Sequence, residues 1–260
     1  VEQELEIAND IQTSMLPDIT ENDSYEVAAF MRTAEEVGGD FYDINFSIDP
    51  YYCLFGDVSG HGLQSGLFMM MVDVAFNTVI SDDQFRNQDL NIIYSKLNSI
   101  LYENIQKRLG AKSINRERYH SMYTTCRLFR FDTDGNFETF GNDQCEPFIC
   151  RAKDGAIDIL ESKGFMLGII KDATFTDESI TFKLEKDDIL VLFSDGIVEA
   201  KDKKVTDETA NLFGFDRLYE IVAKHRDQSS EQIINTIIRE VDSFMFDQYD
   251  DITLLIIKKK

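Results

Sequence analysis

The chain has 260 residues, with 26 Lys and Arg against 48 Asp and Glu, a formal net charge of −22. That length suits a single large α/β domain, and the charge repels phosphate backbones and anionic headgroups, so nucleic acid and membrane surfaces are poor partners. Apolar runs such as Ile189-Leu190-Val191-Leu192-Phe193 fall far short of the roughly 20 residues of a spanning helix, and no charged-then-apolar leader opens the chain. A cytoplasmic protein is expected.

Cys53, Cys126, Cys145 and Cys150 form no C-x-x-C pair and have no His at zinc-finger spacing, so free buried thiols in a reducing compartment are expected rather than structural zinc. The chain begins at Val1, directly in a helical pattern, which reads as a piece of a longer protein. Leu5, Ala8, Gln12 and Met15 recur at three- and four-residue steps, with Ile11 and Leu16 beside them, until Pro17 ends the helix. Residues 1–20 are therefore expected to be a linker or switch helix, either lying on the domain or pairing with its twin in a homodimer. Residues 21–260 are expected to form one domain.

Within that domain, Tyr25 to Met31, Asp40 to Ser47 and Tyr51 to Asp57 are short β-rich runs, expected as antiparallel neighbours. Leu63 to Ile80 predicts a buried helix whose inner face is Leu63, Leu67, Met70, Met71 and Val74, with Met69 also filling core, and Leu90 to Leu109 predicts a second helix. Strands are predicted at Ser121 to Phe131, Phe137 to Phe140, Pro147 to Arg151, Ile157 to Leu160, Ser179 to Leu184 and Ile189 to Ser194. Helices near Phe215 to His225 and Ser230 to Phe246 then precede a last strand, Ile252 to Ile257. Strand runs bracketing helix pairs, without β-α-β alternation, predict an α+β fold of stacked antiparallel sheets with helices outside.

Aspartates punctuate these strands. Asp40 follows Val37-Gly38-Gly39; Asp57 closes a strand before Val58-Ser59-Gly60-His61-Gly62; Asp195 follows Ile189 to Ser194; Asp250-Asp251 precede Ile252 to Ile257. Alone, each reads as a turn former or helix cap. Two carboxylates about 4 Å apart repel by roughly 1 kcal/mol in water and roughly 4 kcal/mol at an effective dielectric of 20, so four in one cleft require cations. An all-oxygen donor set selects magnesium or manganese over zinc or copper. The neighbouring glycines remove side chains that would crowd such ions.

The stretches Glu36-Val37-Gly38-Gly39-Asp40-Phe41-Tyr42-Asp43, Gly56-Asp57-Val58-Ser59-Gly60-His61-Gly62, Phe193-Ser194-Asp195-Gly196-Ile197-Val198-Glu199-Ala200 and Asp250-Asp251-Ile252-Thr253 resemble, in order and spacing, the metal-dependent serine/threonine phosphatases of the protein phosphatase 2C type. They are similar to its bacterial SpoIIE/RsbU-like branch, and Ile11-Gln12 to Leu16-Pro17 resembles the helix preceding the catalytic domain there. The resemblance covers nearly the whole chain. It implies a four-layer α-β-β-α sandwich holding two Mn2+ or Mg2+ ions. Asp57 would bridge both, the Val58 carbonyl and Asp40 would complete one, and Asp195 and Asp250, preferred to Asp251, would hold the other. Asp43 is a weaker candidate, and His61 a minor one for an acid. The implied substrate is a phosphorylated STAS-type anti-sigma-factor antagonist, and the implied controller an upstream sensor domain.

Two stretches depart from the family pattern. An Ala-Gly-His-x-Pro stretch is replaced by Gly141-Asn142-Asp143-Gln144-Cys145-Glu146-Pro147, and Ser81 to His120 carries the basic residues Lys107, Arg108, Lys112, Arg116 and Arg118, which suit a phosphate, an acidic partner, a solvated face or a mobile flap. Two other readings compete: a catalytically silent phosphatase-like scaffold, against which the four intact aspartates argue, and a metal-dependent nuclease or nucleotide hydrolase, which the net charge disfavours.

Overall fold

A computed structural model describes residues 2–19, 22–60, 62–105, 122–171, 173, 175–202 and 211–260. The strands are β1 (Tyr25–Arg32), β2 (Asp40–Asn45), β3 (Tyr51–Val58), β4 (Thr124–Phe131), β5 (Asn136–Asn142), β6 (Phe148–Cys150), β7 (Ile157–Ile159), β8 (Ile180–Lys183), β9 (Ile189–Phe193) and β10 (Ile252–Lys259). The helices among the described residues are α1 (Glu2–Met15), α2 (Leu63–Ser81), α3 (Asp83–Arg86), α4 (Leu90–Tyr102), α5 (Asp195–Val198), α6 (Phe215–His225) and α7 (Ser230–Phe244). Most ends lie within a few residues of the sequence expectation. The part of the second predicted helix beyond residue 105 lies outside the described residues.

Two five-stranded sheets result, ordered β1-β10-β9-β6-β7 and β2-β3-β4-β5-β8, with every pairing antiparallel. Side chains alternate across each strand, so each sheet carries two apolar faces. Leu190, Leu192, Leu255 and Ile257 of the first sheet meet Tyr42, Ile44, Cys53 and Phe55 of the second in a central core. Their neighbours Ile189, Val191, Phe193, Leu254 and Ile256 face outward onto Leu218 and Val222 of α6 and Ile233 and Ile237 of α7. On the opposite side Tyr52, Leu54 and Leu128 face Phe68, Val72 and Phe76 of α2 and Ile93 and Leu97 of α4. Helix, sheet, sheet and helix thus stack as the expected α-β-β-α sandwich. A side chain of this size contributes about 1.5–3 kcal/mol on full burial, so three such layers carry the fold. All four cysteines are free and buried.

The fold corrects two expectations. The strand at Tyr25 does not neighbour those at Asp40 and Tyr51; β1 pairs with β10 in the other sheet, while β2 and β3 pair with each other. Second, α2 buries Phe68, Met69, Val72, Phe76 and Val79, whereas Leu63, Leu67 and Val74 are 42%, 52% and 57% exposed, with Met70 and Met71 only partly covered. The helix is apolar all round, so periodicity could not choose its inner face. For the same reason α2 is long and apolar enough by composition to cross a membrane, yet half of it is buried within the domain.

Candidate active site

The site grows from the register of β2 on β3, which sets Asp40 directly opposite Asp57. Both share strand parity with the central-core residues Tyr42 and Phe55, so both carboxylates project between the sheets at their rim. From the other sheet, β9 ends at Phe193 and delivers Asp195 as the first residue of α5, while Asp250 and Asp251 stand just before β10. Ser194 stitches these ends together: its Oγ accepts from the Thr253 amide at 2.9 Å and donates to the Asp251 carbonyl at 3.1 Å. The Thr253 hydroxyl donates to Asp40 Oδ2 at 2.5 Å and ties one sheet to the other.

The four acids act on one another electrostatically. Burial raises Asp57 to about 9, with Asp40, Asp195 and Asp250 adding repulsion, and raises Asp40 to about 8, with Asp251 adding to it. Asp195 rises to about 6 through burial and then its Asp250 and Glu199 neighbours. Asp250 is exposed at the rim. Among the described residues no three His, Cys, Asp or Glu side chains stand closed into a ready-made metal cage. The aspartates share a rim and a field rather than a preformed coordination shell.

Asp251 has a different task. Its Oδ1 accepts from the Ala34 amide at 2.8 Å and its Oδ2 from the Gly39 amide at 2.7 Å and the Asp40 amide at 3.4 Å, so a buried carboxylate folds the loop that leads into Asp40. Gly39 is required there because a Cβ would lie 2.7 Å from the Val58 carbonyl oxygen and 3.0 Å from Asp57 Oδ1. The Val58 carbonyl oxygen thus lies against Gly39, and the Val58 amide donates to the Gly39 carbonyl at 3.2 Å. Gly60, at φ 91°, makes the turn that follows β3. His61 lies outside the described residues, as does the basic stretch from Lys107 to Arg118.

Asp43 does not join the others. Three residues after Asp40 on one strand, it projects to the opposite face, where the Asn77 amide of α2 donates to its Oδ2 at 2.7 Å. Three further supports hold the site, and of these the sequence marks only Gln12, as the polar residue in its helical seam, without showing its partner. Gln12 of α1 is buried, donating through Nε2 to the Gly38 carbonyl at 2.8 Å and accepting from the Gly38 amide at 3.1 Å. A polar residue within an apolar seam was the available signal. Gln144 donates to Asp57 Oδ2 at 2.7 Å, and the preceding Asp143 pairs with the fully buried Arg127 at 3.0 Å. No spacing in the sequence marks these two contacts. Cys145, beside Asp57 in the same small cavity, is held as a neutral thiol by burial and by Asp195, unlike the depressed thiolate a cysteine nucleophile needs.

Comparison with known proteins bears on the fold and the family. The phosphoserine phosphatase RsbU of Bacillus subtilis (strain 168) is 24% identical over 263 residues, covering 100% of this chain and 71% of RsbU. The chain spans less than half the length of two further relatives. Among solved structures, the SiaA-PP2C domain of Pseudomonas aeruginosa superposes with a TM-score of 0.77 at 19% identity, over 99% of this chain and 96% of that one. RsbX in complex with magnesium superposes at 0.58 with 13% identity, over 94% and 99%. Residues 49–260 match the family described as Stage II sporulation protein E. The chain therefore belongs to the SpoIIE family of PP2C-type phosphatase domains.

Proposed function

We propose that this domain hydrolyses phosphoserine or phosphothreonine on a small STAS-type anti-sigma-factor antagonist in the cytoplasm, using two Mn2+ or Mg2+ ions held by Asp40, Asp57, the Val58 carbonyl, Asp195 and Asp250. The observation that carries this reading is the gathering of four aspartates from two sheets at one rim, with Asp40, Asp57 and Asp195 pushed up by burial and by one another. An oxygen-only donor set with that much uncompensated charge fits hard divalent cations, and the cradle left open at Gly39 fits the close approach of backbone to ion. When bound, such ions supply a nucleophilic water near neutral pH and offset charge on the phosphoryl oxygens.

The protein's residues then have distinct duties. Asp57, near the end of β3 at the rim between the sheets, would hold charge shared with the bound ions. Thr253 fixes the Asp40 carboxylate, Asp251 fixes the loop before it, and Asp195 and Asp250 would hold the second ion from the first sheet. The use of Asp251 as a backbone tie favours Asp250 as the ligand. RsbU, named a phosphoserine phosphatase, supports the substrate class, and RsbX with magnesium supports the ion. We further propose that α1 relays the state of an upstream sensor, alone or as a homodimer, because Gln12 grips the peptide two residues before Asp40. Purified protein with Mn2+ should release phosphate from phosphorylated STAS proteins and not from nucleotides or nucleic acid; no release with any phosphoprotein in saturating Mn2+ would reject the proposal in favour of a silent scaffold.

A further inference from the structure

The segment from Gly141 to Pro147, where the chain departs from its family's sequence pattern, lies against the site rather than away from it. Its backbone is held on both sides of Gln144. Before it, Gly141 exchanges two backbone hydrogen bonds with Lys163 at 2.9 and 2.8 Å, and the buried Asp143 carboxylate pairs with Arg127. Arg127 is itself fixed by the Thr139 hydroxyl at 2.8 Å and the Glu161 carbonyl at 2.8 Å. After it, Cys145 is buried in the core beneath α6 and α7. The exposed side chain of Gln144 therefore leaves a rigid base, and its Nε2 reaches Asp57 Oδ2 at 2.7 Å.

We propose that Gln144 is a positioning residue for the metal centre, its amide fixing the orientation of the Asp57 carboxylate so that the remaining lone pairs face the cations. The inference rests on the two-ion reading above. A carboxylate has about four lone-pair sites; one donated hydrogen bond uses one and leaves three. A neutral amide suits this place. A lysine would replace the positive charge that the ions bring, and a glutamate would add a fifth acid without a proton to donate. Hydrogen bonds to ligating carboxylates typically change metal affinity 10–100-fold when removed.

The test measures Mn2+ binding by titration calorimetry and, separately, melting of the chelated protein, for wild type, Gln144→Leu, Gln144→Ala and Gln144→Glu. Gln144→Leu and Gln144→Ala should both weaken Mn2+ binding at least about tenfold while lowering the chelated melting temperature by no more than the roughly 2–4 °C that one hydrogen bond is worth, and Gln144→Glu should not bind more tightly than wild type. Wild-type affinity in the Leu and Ala variants overturns the assignment. Tighter binding in them overturns it too, since the amide would then compete with the ions, as does tighter binding by Gln144→Glu, which would make position 144 a direct ligand. A drop well beyond roughly 4 °C in the chelated melting temperature of both the Leu and Ala variants would make Gln144 a structural residue only. Wild-type protein that binds no Mn2+ at all would reject the two-ion reading itself, a result distinct from wild-type binding that the substitutions leave untouched.

Discussion

Replacing Asp57 by asparagine removes one charge from the acidic rim while keeping the shape of the side chain. Directly opposed strand residues have Cβ atoms about 5 Å apart, so ionising both Asp40 and Asp57 would cost the fold roughly 332/(20 × 5), about 3 kcal/mol, at an effective dielectric of 20, a cost the wild type avoids at pH 8 only by holding a proton that the unfolded chain has released. Weakening the hydrogen bond from Gln144 returns about 1 kcal/mol of that. Asp57→Asn should therefore stabilise the chelated protein by about 2 kcal/mol at pH 8, a rise in Tm of roughly 4–8 °C for a domain of this size. The pH dependence fixes the cause. Asp40 and Asp57 have folded pKa values raised to about 8 and about 9, so the folded state holds their protons more tightly than the unfolded chain. Their relative stabilisation is greatest below the ordinary carboxylate range and is lost as pH climbs toward 8 and 9. The mutational gain should accordingly be large at pH 8, small at pH 4.5, and reversed by saturating Mn2+, which only the wild type binds well. Scanning calorimetry at these two pH values, with chelator and with Mn2+, measures all of this. A mutant less stable than wild type in chelator at pH 8, or equally stabilised at both pH values, would refute the electrostatic reasoning.

Three further outcomes are expected. Mn2+ affinity should rise between pH 5 and 8, because binding must displace protons held on Asp195, Asp40 and Asp57; a pH-independent affinity would contradict the ligand set. Arg127→Met leaves Asp143 buried without its partner and should destabilise by about 3–5 kcal/mol in urea unfolding, whereas an Arg127→Met, Asp143→Leu pair should recover part of the loss; a neutral single mutant would show the ion pair to be dispensable. Fusing a strong coiled coil ahead of Val1 should change turnover periodically as residues are inserted between them, and Gln12→Leu should abolish that dependence. Identical rates in every register would reduce α1 to a cover over the domain.

Much of this was legible in the sequence because strand alternation and strand-end acids are local signals. The alternation of Ile189 to Phe193 and Ile252 to Ile257 marks strands with two apolar faces, and Asp40, Asp57 and Asp195 each stand at the end where a strand meets the rim. Asp43 could have been excluded on the same grounds, since an odd separation from Asp40 on one strand means the opposite face. What escaped depends on distant partners. An all-apolar α2 has no preferred face until sheet and α4 are in place, so Leu67 and Val74, at core spacing in the sequence, lie outward. Asp250 and Asp251 are chemically identical, and only the amides of Ala34 and Gly39 distinguish them. β1 joins β10 across more than two hundred residues, a pairing that no local pattern encodes, while Gln144 meets Asp57 because Arg127 clamps the base beneath it.

Phosphate release from a phosphorylated STAS protein, followed as Mn2+ is titrated into chelator-treated protein with Asp195→Asn alongside, tests whether the clustered aspartates hold divalent cations for phosphate-ester hydrolysis. Release should be absent in chelator, rise with Mn2+ and stay orders of magnitude lower in the variant under the same limiting Mn2+. Undiminished release in chelator, or a wild-type rate for Asp195→Asn at limiting Mn2+, would contradict it.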